Sequence, residues 1–189
     1  MGSGTQYWRR PPVRAGGVLL ATALVVALAG CNPFADDPPP CPRVSILKDA
    51  RLLTLYGDGP GRETSDVAFE LELRSVTADC DYDLDDGGGG VEVTFALPIR
   101  ATRGPSAESD RVSVPFFVAL ADPSRQVIAK EVFTAEIAFE ADSASARTVE
   151  DIEQWIPLRP GEYGAGYETL VGFQLTPAQL GEARRPRAE

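Results

Sequence analysis

Residues 91–98 read "VEVTFALP": Val91, Val93, Phe95 and Leu97 alternate with Glu92, Thr94, Ala96 and Pro98. In an extended chain successive side chains point to opposite faces, so a period of two describes a strand with one face in a core and one in water. The pattern recurs outward from this stretch. Val67, Phe69, Leu71 and Leu73 alternate with Ala68, Glu70, Glu72 and Arg74. Val112, Val114, Phe116, Val118 and Leu120 alternate with Ser113, Pro115, Phe117 and Ala119, and Phe133, Ala135, Ile137 and Phe139 form a fourth set. Shorter candidates lie at 51–56, 149–156 and 167–175. Turn-rich runs separate them: "YGDGPGRE", "DLDDGGGG", "TRGPSAESD", "ADPSRQ", "EADSASA" and "LRPGEYGAG". With no helical crossover between strands, the expected fold is all-β, an antiparallel immunoglobulin-like β-sandwich of about seven or eight strands.

Two refinements follow from single residues. Pro98 and Pro115 cannot donate to a ladder, which predicts edge positions or bulges. Thr176, Pro177 and Gln179 spell the start of a short C-terminal helix, with Thr176 as cap, Pro177 in the first turn and Gln179 closing a capping box. The chain shows no internal repeat, and "ARRPRAE", residues 183–189, reads as a frayed tail.

The amino-terminal region has a different character. Arg9, Arg10 and Arg14 stand among the first fourteen residues without an acid, an apolar run extends from Val18 to Leu28, and the small residues Ala29 and Gly30 precede Cys31. A basic segment, a short apolar segment and small residues at the cut make a secretory signal peptide over 1–30. The run from Ala15 to Gly30 contains three glycines and falls short of the roughly 20 apolar residues that cross a bilayer. Leu28-Ala29-Gly30-Cys31 resembles the lipobox of bacterial lipoproteins. That resemblance implies cleavage between Gly30 and Cys31, a diacylglycerol on the Cys31 thiol and acylation of the new amino terminus. Two or more acyl chains make a stable anchor where one does not. Asn32, where an Asp commonly marks inner-membrane retention, leans the expected address toward the outer membrane. Residues 31–43 then form a tether rich in proline, with Asp36 and Asp37. In polyproline II geometry, at about 3.1 Å per residue, its first nine residues reach roughly 28 Å. The folded domain is expected over 44–182.

Composition narrows the function classes. Loss of Arg9, Arg10 and Arg14 with the leader takes the net charge from −10 to −13. So acidic a chain is ill suited to nucleic acid, where affinity comes from neutralising phosphates. Histidine is absent, which removes Ser-His-Asp and Cys-His catalysis and His-ligated metals. The mature chain also lacks methionine, so soft copper ligation is not available. Beyond Cys31 two cysteines remain, Cys41 and Cys80. In an exported protein they are expected to form a disulfide, worth roughly 4 kcal/mol for a loop of this length; the alternatives are two buried thiols or, less in keeping with their spacing, a catalytic dithiol.

With the lipobox, the cysteine pair, "CPRVSILKDARLLTLY", "FFVAL", "AKEVF" and "LVGFQLT" together, the chain resembles a group of alphaproteobacterial lipoproteins that carry no assigned activity. The resemblance implies an envelope address and supplies no chemistry.

Few motifs suggest chemistry of their own. In "DCDYDLDDGGGGVE" the acids Asp81, Asp83 and Asp85 fall at the first, third and fifth positions of a calcium loop and Glu92 at the twelfth, but Asp86 sits where such a loop needs glycine. The bland reading is a solvated hairpin tip. "SILK", Ser45 to Lys48, matches the Ser-x-x-Lys of penicillin-binding enzymes without their partner motifs. "GDGPG", Gly57 to Gly61, looks like a phosphate loop but lacks the helix that should follow. A carboxylate pair can hydrolyse glycosides without histidine, and none of the acids stands out for it. Phe117, on the outward phase of its strand, is a candidate partner contact. The expectation is a non-enzymatic binding or assembly module without cofactor, held to the membrane through Cys31 and docking another envelope component by strand addition. A small-ligand or Ca²⁺-binding domain is the alternative, and a glycan hydrolase comes last.

Overall fold

The alternating segments become nine strands in two facing sheets. The structure, a computed structural model, describes residues 39–85 and 87–185. The strands are β1 (Arg43–Ile46), β2 (Leu52–Tyr56), β3 (Val67–Leu73), β4 (Thr77–Asp85), β5 (Gly88–Arg103), β6 (Arg111–Ala121), β7 (Val127–Ala138), β8 (Ser145–Leu158) and β9 (Glu168–Phe173), followed by helix α1 (Pro177–Ala183). One sheet has the order β1-β9-β6-β7. The other is built on β5: β8 pairs along one side of it, while β4 and β3 pair with successive halves of the other side and β2 lies outside β3.

The alternation that predicted the strands is the burial pattern. Leu71, Leu73, Val91, Val93, Leu97 and Ile99 of one sheet meet Val114, Phe116, Ile137, Val171 and Phe173 of the other, all with almost no exposure. Burying such side chains fully contributes about 1.5–3 kcal/mol each, which makes this interior the main source of stability. Phe116 and Phe133 stack with centroids 5.4 Å apart, and Phe69 meets Phe139 at 5.6 Å.

The sandwich is the expected architecture, with more strands than expected and one parallel pairing, β1 with β9. β1 and β4 are the additions. β4 and the start of β5 occupy what reads as turn in "DLDDGGGG": Asp83 pairs with Gly90, Leu84 with Gly89 and Asp85 with Gly88. Two of that hairpin's glycines show why the residue is needed there. Gly89 has φ +140°, and a Cβ on Gly90 would stand 2.2 Å from the Trp155 ring that covers it.

The prolines are placed by hydrogen-bond phase. The Arg103 N–H donates to the Ala144 carbonyl and the Gly104 N–H to the Ala68 carbonyl. Odd residues of β5 therefore bond toward β8 and even residues toward β3 and β4. Pro98 is in mid-strand, not at an edge, but its missing donor faces the gap between Leu73, paired with Ile99, and Thr77, paired with Ala96. Pro115 lies one residue past the last β6–β9 pair, where its carbonyl accepts from the Gln174 N–H and no donor is required. The helix begins as its sequence predicts: Thr176 Oγ1 accepts from the Gln179 N–H at 3.3 Å, and Gln179 Oε1 accepts from the Thr176 N–H at 2.8 Å.

Candidate functional site

The outer strands of an open sheet present rows of main-chain N–H and C=O groups to any extended chain that approaches. Four outer strands of this sandwich are guarded, β4 among them, where the Tyr82 hydroxyl donates to the Pro40 carbonyl and Cys80 is bonded to Cys41. β1 is only four residues long, and the bonded sulfurs of Cys41 and Cys80 tie the chain just before it to β4. β2 has α1 alongside: the Tyr56 hydroxyl donates to Glu182 Oε1 at 2.5 Å, and Leu52, Thr54 and Tyr56 share a hollow with Gln179 and Glu182. That carboxylate, together with burial, pushes the Tyr56 hydroxyl pKa upward. In β8 the even residues bond to β5 and the odd ones turn outward. The outward set includes Asp151, Glu153 and Pro157. Charge and a missing donor are standard ways of blunting an edge.

β7 is guarded less: it carries Lys130, Glu136 and a bulge near its start but, among the described residues, no covering element and no proline. It closes its sheet and, among the described strands, pairs only with β6. The Phe139 N–H donates to the Asp110 carbonyl, which sets the phase. Odd residues of β7 bond to β6, so Lys130, Val132, Thr134, Glu136 and Ala138 turn their main-chain groups to the open side. The strand contains no proline. Its apolar residues are uncovered toward its start: Val127, Ile128 and Val132 are 57%, 55% and 51% exposed. What an edge like this can do is accept a further strand. Main-chain bonds then supply affinity, and alternate side chains supply selection.

Neighbouring residues anchor β7 at its start and along both faces. At its start Asp122 Oδ1 accepts from the Ser124 hydroxyl at 2.6 Å and from the Ser124 and Gln126 N–H groups at 2.9 Å each. These bonds, the Ser124 hydroxyl foremost, hold the Asp122 carboxyl below its ordinary pKa. A register shift at Leu120/Ala121 follows the turn, a bulge that re-aims Ile128 toward Ile156 and Pro157. On the inner phase Phe133, Ala135 and Ile137 anchor the strand in the core. On the outer face Lys130 Nζ lies 4.4 Å above the Phe117 ring and donates to Gln174 Oε1 at 2.8 Å.

The residues singled out in the sequence are dispersed. Gly30 and Cys31 lie outside the described residues. Cys41 and Cys80 are joined, with Cα atoms 5.8 Å apart. Asp81, Asp83 and Asp85 do not form a loop. They alternate along one outward face of β4, and Glu92 stands opposite Asp81 on β5. Side chains two apart on a strand are separated by two rises of about 3.3 Å, so these carboxylates line up instead of converging on a cation. Among the described residues no three acidic or cysteine side chains form a group that could hold a metal. Ser45 is on β1, its hydroxyl donating to Glu168 at 2.7 Å, while Lys48 is in the next turn. Gly57 to Gly61 is a plain loop. Phe117 does face outward, but it is half-covered by Lys130 and lines a hollow with Leu47, Ala50, Leu175 and Leu180. The first half of β7 escapes sequence reading because "VIAKEV" carries apolar residues on both phases. That mixed phase was the available sign of a strand leaving the sandwich. Comparison with family models, with curated proteins and with solved structures found no match.

Proposed function

We propose that the protein is a lipid-anchored lipoprotein of the cell envelope, more in keeping with the outer than the inner membrane, and that it acts as a non-enzymatic docking module. The resemblance of its leader to a lipobox supports the anchor at Cys31. The observation that carries the docking role is the contrast at β7, a twelve-residue edge strand without a proline or, among the described residues, a covering element, while β1 is short, β2 and β4 are covered and β8 carries acids and Pro157. An extended segment of a partner would continue the β1-β9-β6-β7 sheet, bonding to the outward groups of Lys130 through Ala138. The proline-rich tether would hold that edge clear of the lipid headgroups.

Two measurements test this reading. Mass spectrometry of the membrane-extracted protein is expected to show a cleaved, acylated Cys31, and Cys31→Ala to abolish both; an unmodified full-length chain would contradict the anchor. A photo-crosslinking side chain at Thr134 is expected to give a discrete adduct in envelope membranes. The same group at Glu153 on β8 should give none, and Val132→Pro, which removes an outward N–H that β6 does not use, should erase the Thr134 adduct. Equal labelling from both strands would contradict docking at β7.

A further inference from the structure

The outward positions of β7 carry one cation and one anion, Lys130 and Glu136. Because their main-chain groups both face the open side, a second β7 could pair antiparallel only in registers that set outward residues against outward residues. Sliding one strand past another by two residues steps through those registers. With Lys130 opposite Lys130, the two charges repel. With Glu131 opposite Glu131, two acids meet at the closely spaced position. With Val132 opposite itself, or Thr134 opposite itself, neither charge finds a partner. In one register only, centred on Phe133, does Lys130 face Glu136 of the second copy and Glu136 face its Lys130. Val132 and Thr134 then lie opposite each other between the charge pairs, a β-branched match suited to an antiparallel ladder.

We infer that the occupant of the β7 edge is a second copy of this chain, joined two-fold about Phe133 with reciprocal Lys130–Glu136 pairs. The inference rests on the reading of β7 as the docking edge and names its partner. A two-fold interface requires a surface complementary to itself, and this strand is complementary in that one register. The two sheets would merge into one of eight strands, in the order β1-β9-β6-β7 followed by its mirror sequence from the second copy. At the axis the two Phe133 residues form the non-hydrogen-bonded pair, where side chains approach most closely. Each ring is already half-buried and stacked on Phe116, 5.4 Å away, so it enters the interface with its orientation set. In turning to the new carboxylate Lys130 would exchange its bond to the Gln174 amide and its place over the Phe117 ring.

Sedimentation of the purified mature chain across the micromolar range tests the pairing. A reversible dimer is expected. Glu136→Lys alone and Lys130→Glu alone each set like charges opposite one another at both symmetric positions and should weaken the dimer by about tenfold. The double variant Lys130→Glu/Glu136→Lys restores the complementarity and should recover most of the loss, with melting temperatures confirming that every variant is folded. A chain that stays monomeric throughout would overturn the inference, as would a dimer indifferent to the charge swaps. These failures are separable from failure of the docking reading. A monomer whose Thr134 crosslinker still captures a different polypeptide leaves β7 as the edge and removes only the second copy, whereas a dimer that survives Val132→Pro removes β7 itself.

Discussion

β7 and β8 lie against each other across the open side of the sandwich, one in each sheet, and both turn alternate main-chain groups to solvent. They differ in what accompanies those groups. β8 offers Asp151, Glu153 and Pro157 beside exposed Val149 and Trp155, so an acidic incoming strand would meet like charge and any strand an absent donor. β7 offers Val132, Thr134 and a Lys130/Glu136 pair, with exposed Val127 and Ile128 nearby. Two edges that both turn alternate main-chain groups outward thus differ in what an incoming strand would meet. Edge behaviour is set by side chains at the outward phase, not by the strand geometry that both share.

If guarding is what separates the edges, removing a guard should blur the distinction. The largest effect is expected from the disulfide. Cys41→Ala/Cys80→Ala releases the chain ahead of β1 and lengthens the loops available to the unfolded state. It should cost about 2–4 kcal/mol in denaturant unfolding, and reductant should do the same to the native protein. A change below a few tenths of a kcal/mol would mean that other contacts hold β1.

The guard on β2 is smaller. Thr176→Ala removes the side-chain cap of α1 and should cost about 1 kcal/mol of helix stability. Because the helix lies beside β2, hydrogen exchange at the outward amides of Leu52, Thr54 and Tyr56 should speed up while β7 is unaffected. Exchange unchanged at these three would show that α1 does not shield the strand.

The smallest effect sharpens the comparison at β7. Asp122 and Glu162 both have depressed carboxyl pKa values. For Asp122 the Ser124 hydroxyl is the chief cause; for Glu162 it is the Arg159 N–H, then the Tyr167 hydroxyl. A depressed folded pKa contributes stability that is present above the unfolded value, about 4, and is lost as pH falls through the folded value. Both groups are exposed, so the loss is modest. It should show as faster exchange near Val127 below about pH 4, absent in Asp122→Asn. Acid sensitivity that persists in that variant would place the titrating group elsewhere.

The sandwich was legible because its strands are amphipathic: Val67 to Leu73, Val91 to Leu97 and Val112 to Leu120 each bury the phase that their alternation marks. What escaped had no such asymmetry. β4 presents a row of aspartates outward and only Ala78, Cys80 and Tyr82 half-buried inward, so its composition reads as a loop. Pro98 suggested an edge because sequence gives the missing donor but not its direction, which depends on a gap between two other strands. The uncovered edge of β7 could not be read either. Which strand lies outermost is decided by long-range pairing, and the exposed Val132 looks in sequence like any other core valine. Cys41 and Cys80 were legible as a pair once export was inferred, because an even count in an oxidising compartment favours one bridge.

The most direct test of the central claim is single-residue hydrogen exchange along β7, comparing monomer in detergent with protein in envelope membranes. In the monomer the odd-numbered amides bonded to β6 should exchange slowly and those of Lys130, Val132, Thr134, Glu136 and Ala138 quickly. In the membrane the second set should become protected as a strand is added. If those five amides exchange equally fast in both states, nothing docks on β7 and the account is wrong.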